Sequence, residues 1–218
     1  MAAIKSTIKP KSTGKKGFFS HIMRFFWKLI IWFNIVSLFF VVLYKFVPVP
    51  YTPLMVIRYF ENKSVGKNIE TKHHWVPLEN ISKNLQKAVI ASEDGRFFEH
   101  YGLDFSAMQK AAVGNFKGKK LKGGSTITQQ TAKNVFLWQG RSYFRKTLEA
   151  YYTVLIELIW GKERILEVYL NSIEMGDGIY GAEAATQHWY KKECKSLTRM
   201  QAAGIAAILP NPRRFSPN

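Results

Sequence analysis

The chain has 218 residues, 47% of them hydrophobic and 15% aromatic, a composition that excludes an intrinsically disordered protein and allows one domain with a real core plus an appendage. Thirty-two Lys and Arg stand against fifteen Asp and Glu, a net charge of +17, so the partners to look for are anionic: phospholipid headgroups, phosphorylated substrates or nucleic acid. The single cysteine, Cys194, excludes an intramolecular disulfide and any multi-thiolate metal site.

The charges are unevenly placed. Residues 1–47 carry eight basic side chains and no acidic one, the first acid being Glu61, which leaves 24 basic against 15 acidic groups in residues 48–218. Between Lys28 and Lys45 lies LIIWFNIVSLFFVVLY, whose polar members are Asn34 and Ser37. A bilayer core needs about 20 residues at 1.5 Å each, and the flanking aromatics and snorkelling lysines extend this segment to that length. A cleaved signal peptide would show a shorter apolar run and a small-residue cleavage site, whereas here Tyr44, Lys45, Phe46 and the prolines 48, 50 and 53 follow. The segment therefore reads as an uncleaved, single-pass anchor. The basic excess before it puts the N-terminus in the cytoplasm and residues 48–218 outside. The expected organisation is a basic cytoplasmic tail (1–24), a transmembrane helix (25–47), a membrane-proximal region (48–76) and a domain over 77–218.

The stretch from Tyr51 to Pro77 carries no clear period, and its pair His73 and His74 has no third ligand at a metal spacing, which favours a surface or interface role. From Glu79 onward the helical period dominates. Ile81, Leu85, Ala88, Val89 and Ser92 share one face; Phe105–Phe116 reads as a second helix; Lys117–Gly124 (KGKKLKGG) reads as a mobile basic loop. Thr126 and Gln129 make a capping-box spacing that opens a third helix. Ser142 precedes a long one reaching about Trp160, Glu163–Asn171 is another, and Leu197–Leu209 ends at Pro210. No convincing alternating strand is present. The expected fold class is mainly α behind a single N-terminal membrane helix.

Three segments carry polar groups in patterns that suit chemistry. In AVIASEDGRFFEHYG, Glu93 and Asp94 end an apolar helix face with Phe97, Phe98 and His100 just beyond. A carboxylate among aromatic rings and beside a like charge suits a general base; the plain alternative is a helix end paired with Lys87 or Arg96. In GGSTITQQTAKN, the residues Thr126, Gln129, Gln130 and Lys133 form a polar stripe offering hydroxyl and amide groups to a sugar and an ammonium to a phosphate. The glycines ahead of it leave a helix N-terminus free for an anion, and no Walker lysine follows. In RSYFRKTLEAYY, Arg145 and Glu149 are four apart with Arg141 one turn earlier. This is either an ordinary i,i+4 ion pair or, with Lys133 and Arg141 gripping a diphosphate, a second carboxylate facing the cleft of Glu93.

EDGRFFEHYG, GGSTITQQTAKN, RKTLE, KERILEVYLN and GIYGAEAA occur in the order and rough spacing of the five motifs of the peptidoglycan glycosyltransferases, glycosyltransferase family 51. The resemblance covers roughly residues 75–212, and the short anchored chain is similar to the family's monofunctional members. It implies a lysozyme-like, α-helical fold and polymerisation of lipid II into β-1,4-linked glycan with release of undecaprenyl diphosphate. Glu93 then matches the catalytic base that deprotonates the acceptor 4-hydroxyl, and Glu149 the second essential glutamate. Lys133 and Arg141 match the groups at the lipid diphosphate. Asp94, Phe97, His100, Ser125, Thr126, Gln129, Gln130, Asn134, Arg145 and Lys146 match positions that line or brace the cleft.

The resemblance implies no required cofactor; a divalent cation, magnesium or manganese, near Glu149 is compatible with it, though no ligand cluster demands one. The partners it implies are lipid II, the growing glycan, membrane lipids and proteins of wall synthesis and division, with no nucleic acid, and the place is the bacterial inner membrane. Trp189-Tyr190-Lys191 departs from the family's usual Tyr-Phe-Gly, and the chain stops at Asn218 where members usually continue through another helix, which reads either as a fragment or as a naturally truncated terminus. Two competing readings remain: a lysozyme-like lytic enzyme, which needs no diphosphate grip, and a non-catalytic basic membrane scaffold or nucleic-acid binder, for which Glu93 would be dispensable.

Overall fold

A computed structural model describes residues 15–109, 124–140 and 142–217, and the chain divides between Phe40 and Val41 into two compact units. The first unit is helix: α1 spans Lys15–Phe46, and its stretch Phe19–Phe46, 28 residues of mean hydropathy 2.2, is long and apolar enough to cross a membrane. Phe25, Trp27, Trp32 and Phe39 stand exposed around its circumference. A helix that is apolar all round and uncovered by protein is matched by hydrocarbon rather than water. It fits a single-pass membrane anchor.

The second unit begins with the last turns of α1, and two long-range side chains hold them. Trp160 donates its indole N–H to the Val41 carbonyl at 2.6 Å, and the Arg164 guanidinium donates to the carbonyls of Tyr44 and Val47 at 2.7 Å each. The Tyr44 and Val47 carbonyls lie in the last turn and just past the helix end, without a partner further along the helix, and a cation there also meets the negative end of the helix dipole. Trp75 stacks on the same guanidinium at 5.1 Å. Val41 and Val49 are fully buried beside this clamp.

Residues Pro53–Ser64, which lack a clear period in the sequence, form α2. Its start is written locally: Thr52 caps the Met55 amide and Pro53 sits at the first helical position, where its missing N–H costs nothing. Helix α3 (Lys83–Glu93) is capped by Ser82, and α4 (Ile127–Phe136) opens with the expected capping box, Thr126 and Gln129 bonding reciprocally. Ser142 caps α5 (Tyr143–Ile159), followed by α6 (Lys162–Ser172), α7 (Ala182–Tyr190) and α8 (Arg199–Ile208). Of the expected helix over 105–116, residues 105–109 are helical; the remainder, the basic loop over 117–123 and Arg141 lie outside the described residues.

Strands, not expected from the sequence, do occur. Three short ones, β1 (Lys72–His73), β2 (Glu174–Gly176) and β3 (Ile179–Tyr180), form a sheet in the order β1-β3-β2, β1 parallel and β2 antiparallel to β3. Strands of two or three residues are too short to show an alternating pattern. Helix α4 packs on α5 and α6, and α3 on α8. Ile127, Ala132, Ile156, Ile165, Tyr169 and Leu170 meet fully buried at the centre, each large aliphatic side chain contributing about 1.5–3 kcal/mol of burial. Helix α4 is thereby enclosed on one side, which fixes where its opposite face looks.

Candidate functional site

The half-buried face of α4 gathers the site. Glu93, last residue of α3, is half-buried and accepts a hydrogen bond from Gln130 Nε2 at 2.8 Å. The other end of the same amide accepts from the Tyr169 hydroxyl of α6 at 3.3 Å. Tyr169 is fully buried, and burial together with the charges of Glu93 and Asp94 raises its pKa well above the ordinary phenol value. A tyrosine that stays protonated donates to Gln130 Oε1, which leaves Nε2 to point at Glu93. The base candidate is thus aimed by a chain of three residues that neither α3 nor α4 supplies alone.

One turn beyond Gln130 on the same helix face is Lys133. It is half-buried and forms no ion pair among the described residues, and its pKa is lowered, first by burial, then by the charges of Arg145, Lys146 and Arg58, against the opposing pull of Glu149. Glu149 is buried and held by Arg145 Nη1 at 2.6 Å and by Lys146 Nζ. Arg145, itself buried, gives its Nε to the Gly140 carbonyl at 2.8 Å. The i,i+4 pair anticipated between Arg145 and Glu149 therefore forms, in the interior rather than on a solvated face. Arg141 lies outside the described residues.

Other expected site residues serve the walls. Asp94 is buried; its Oδ2 accepts the Ile127 N–H at 3.0 Å and both oxygens accept from His100 Nε2 at 2.9 and 3.1 Å. The N-terminus of α4, expected to be free for an anion, is thus occupied by a carboxylate of the protein, where the helix dipole favours it. His100 Nδ1 is buried and has no hydrogen-bond partner among the described residues. Phe97 is fully buried under the Lys162 ammonium, 4.6 Å from its ring centre. Thr126 and Gln129 are buried and committed to the capping box, Thr126 Oγ1 also donating to the Gly102 carbonyl at 2.6 Å. Asn134 is buried on α4, and Ser125 is exposed just before it. Of the expected polar stripe, Gln130 and Lys133 remain half-buried at the site.

Gly102 sets the spacing of that wall. Its φ is +78°, and a Cβ there would lie 2.7 Å from Thr153 Cγ2 and 2.8 Å from Glu157 Cγ. Gly102→Ala is expected to destabilise the domain by about 2 kcal/mol or more, from left-handed strain plus overlap with α5. A thermal melt should show the midpoint lower by roughly 4–8 °C.

Two contributors have no mark in the sequence. Tyr169 sits on the buried face of α6 among Ile165 and Leu166, and nothing local sets its hydroxyl apart from a core tyrosine. Arg58 of α2 adds its charge to the field at Lys133 and also lies 3.4 Å from Glu174. Among the described residues no three His, Cys, Asp or Glu side chains are grouped so as to hold a metal ion.

Comparisons with known proteins identify the family. The family model described as Transglycosylase matches residues 61–218. The chain is 57% identical over 188 residues to a biosynthetic peptidoglycan transglycosylase of Bdellovibrio bacteriovorus, covering 86% of this chain and 75% of that one. It is 56% identical over 175 residues to the protein of that name in Caulobacter vibrioides, covering 80% and 74%, and 49% identical over 195 residues to that of Pseudomonas syringae pv. syringae, covering 89% and 83%. With well over half of its length matched, this chain belongs to the transglycosylase family, its lysozyme-like helical domain following one long apolar helix.

Proposed function

We propose that the chain is a peptidoglycan glycosyltransferase that polymerises lipid II into β-1,4-linked glycan by an inverting displacement, with Glu93 as general base. What supports the reading is the Glu93–Gln130 hydrogen bond, with Lys133 one turn beyond Gln130 along α4. The acceptor 4-hydroxyl attacks the donor anomeric carbon, the bond from that carbon to the diphosphate breaks, and the hydroxyl proton passes to Glu93. A diphosphate is already a good leaving group, so what the site must supply is positive charge where negative charge grows. Lys133, assisted by Arg141, supplies it. Glu149 holds Arg145 and Lys146 in place and keeps Lys133 cationic.

A divalent cation at Glu149 fits poorly, because both carboxylate oxygens already bind the cationic heads of Arg145 and Lys146, and no step is routed through one. As an anchored enzyme it works in the bacterial inner membrane, N-terminus in the cytoplasm, with the domain on the outer side where the lipid-linked precursor is confined to the same plane. Wall-synthesis and division proteins are its expected neighbours.

The test is release of undecaprenyl diphosphate and growth of glycan from labelled lipid II. Soluble muropeptide fragments cut from finished sacculi, with no polymer from lipid II, would instead establish the lytic reading.

The lowered pKa of Lys133 also gives a sign. The ammonium is cationic below its folded pKa, so polymerisation should decline as pH rises toward a value below the ordinary 10.5, and Lys133→Arg should extend the alkaline limb. Stability moves oppositely. The unfolded lysine keeps its proton to higher pH than the folded one, so between the two pKa values unfolding takes up a proton and this group's contribution to stability rises with pH. Paired pH profiles of rate and of thermal midpoint read both limbs.

A further inference from the structure

A second groove lies on the sheet side of the domain and does not include Glu93. A cavity of about 560 Å³ opens between β1, flanked by Glu70 and His74, and the face of α7 that carries Glu183, Gln187 and His188 and ends at Lys191. A second cavity of about 350 Å³ shares His74 and Glu183 with it and continues to Glu193 and Lys195. The volumes are those of a site for a small ligand.

The backbone makes this groove more than a dent. In the order β1-β3-β2, β1 is an edge strand, and the Lys72 amide donates inward to Gly178 at 2.8 Å. Backbone groups alternate sides along a strand, so the neighbouring amide and carbonyl at Thr71 and His73, both of which line the cavity, face away from β3 at the open edge of the sheet. An edge strand facing a helix across a cavity is the arrangement in which an extended peptide adds as one more strand, main chain to main chain.

The lining is dipolar. Lys72 and Lys191 stand with His188 and one acid, Glu70, at one end, which is net cationic; burial first, then the charges of Lys191 and Lys72, lower the His188 pKa and favour its neutral, hydrogen-bonding form. Toward the other end stand two acids, Glu183 and Glu193, against one cation, Lys195. Burial alone would raise the Glu183 pKa, but the Cys194 amide, the Gln187 amide and His74 outweigh it and hold that carboxylate ionised. A purely anionic ligand would be repelled at one end and a purely cationic one at the other. A short extended peptide with a carboxylate at one end and an amine toward the other is complementary to both.

We propose that the groove between the β1 edge and α7 binds the peptide carried by the glycan polymer, its terminal carboxylate at Lys72, His188 and Lys191 and its amine toward Glu183. The occupant rests on the glycosyltransferase reading, since it is that product which leaves the enzyme bearing short peptides with free carboxylates. The site would keep hold of a strand already made, at a distance from the chemistry.

The test uses the full chain in lipid nanodiscs. A fluorescent tetrapeptide with a free terminal carboxylate and one free amine should bind saturably. Lys72→Glu should weaken it at least tenfold, amidation of its carboxylate should do the same, and Glu93→Gln should leave it unchanged. For the source, Gln187→Cys provides a labelling site for a photoreactive maleimide, Cys194 being buried with its thiol pKa pushed up. Irradiation during polymerisation should attach radiolabelled glycan to the protein when the precursor carries its peptide and not when the peptide is absent. Polymerisation with no saturable peptide binding, with binding indifferent to Lys72→Glu, or with equal attachment of glycan lacking peptide would overturn the proposal. Peptide binding without polymerisation would support the groove and sink the glycosyltransferase reading instead.

Discussion

Glu93→Gln is expected to lower glycan polymerisation by about 10²–10⁴-fold, the range a positioned general base contributes, while the protein still folds and inserts in the membrane. Glutamine keeps the shape and can still meet the Gln130 amide, but it cannot take the acceptor proton. The side chain is half-buried and in contact with one neutral amide, so the exchange leaves no buried charge behind. The measurement is turnover of labelled lipid II alongside a thermal melt. A midpoint within about 1 °C of wild type with activity gone identifies a chemical role. Unchanged activity would favour the scaffold reading, for which +17 of charge does all the work.

Glu149→Gln should behave differently, losing stability as well as rate. Glu149 is buried against a buried arginine, and removing one member of such a pair leaves the other charge uncompensated, at a cost of about 3–5 kcal/mol. For a domain of this size that is a fall of roughly 6–20 °C in the melting midpoint. The rate falls for a second reason: Glu149 is the group that raises the Lys133 pKa, and without it the ammonium loses its proton nearer to working pH. The double variant Arg145→Met with Glu149→Leu separates the two effects. Two well-packed apolar side chains should recover most of the stability, since replacing both ions of a buried pair is often neutral, yet should leave polymerisation impaired. Recovery of full activity in that variant would remove Glu149 from the mechanism.

What could be read in advance follows from how local each signal is. The start of α4 is written in Thr126 and Gln129, three residues apart, and the start of α5 in Ser142, so both helices are legible from a window of a few residues. Helix α7 begins at Gly181, whose φ of +82° and lack of a side-chain cap offer no such mark, and the glycine is there because a Cβ would lie 2.6 Å from the Asn171 carbonyl. That requirement comes from a residue ten positions away and is invisible locally. The sheet fails for a similar reason: β1 pairs with β3 more than a hundred residues later, over two residues. At the site, Glu93, Gln130 and Lys133 stand out as polar residues in helical register, but the hydroxyl that aims Gln130 comes from Tyr169, 39 positions on. Sequence spacing shows which groups share a helix face; it does not show which face meets which.

The clamp on the end of α1 bears on how a water-soluble form should be cut. A truncation beginning at Pro48 would seem natural, since the apolar run ends there, but it would strip Trp160 and Arg164 of the carbonyls of Val41, Tyr44 and Val47 and uncover the pocket that Val41 fills. The buried Trp160 donor left without an acceptor costs about 1–3 kcal/mol, while Arg164 keeps its pair with Glu167. Starting at or just before Val41 keeps those acceptors while discarding most of the greasy surface, so a few extra hydrophobic residues at the new terminus should give the better-behaved protein.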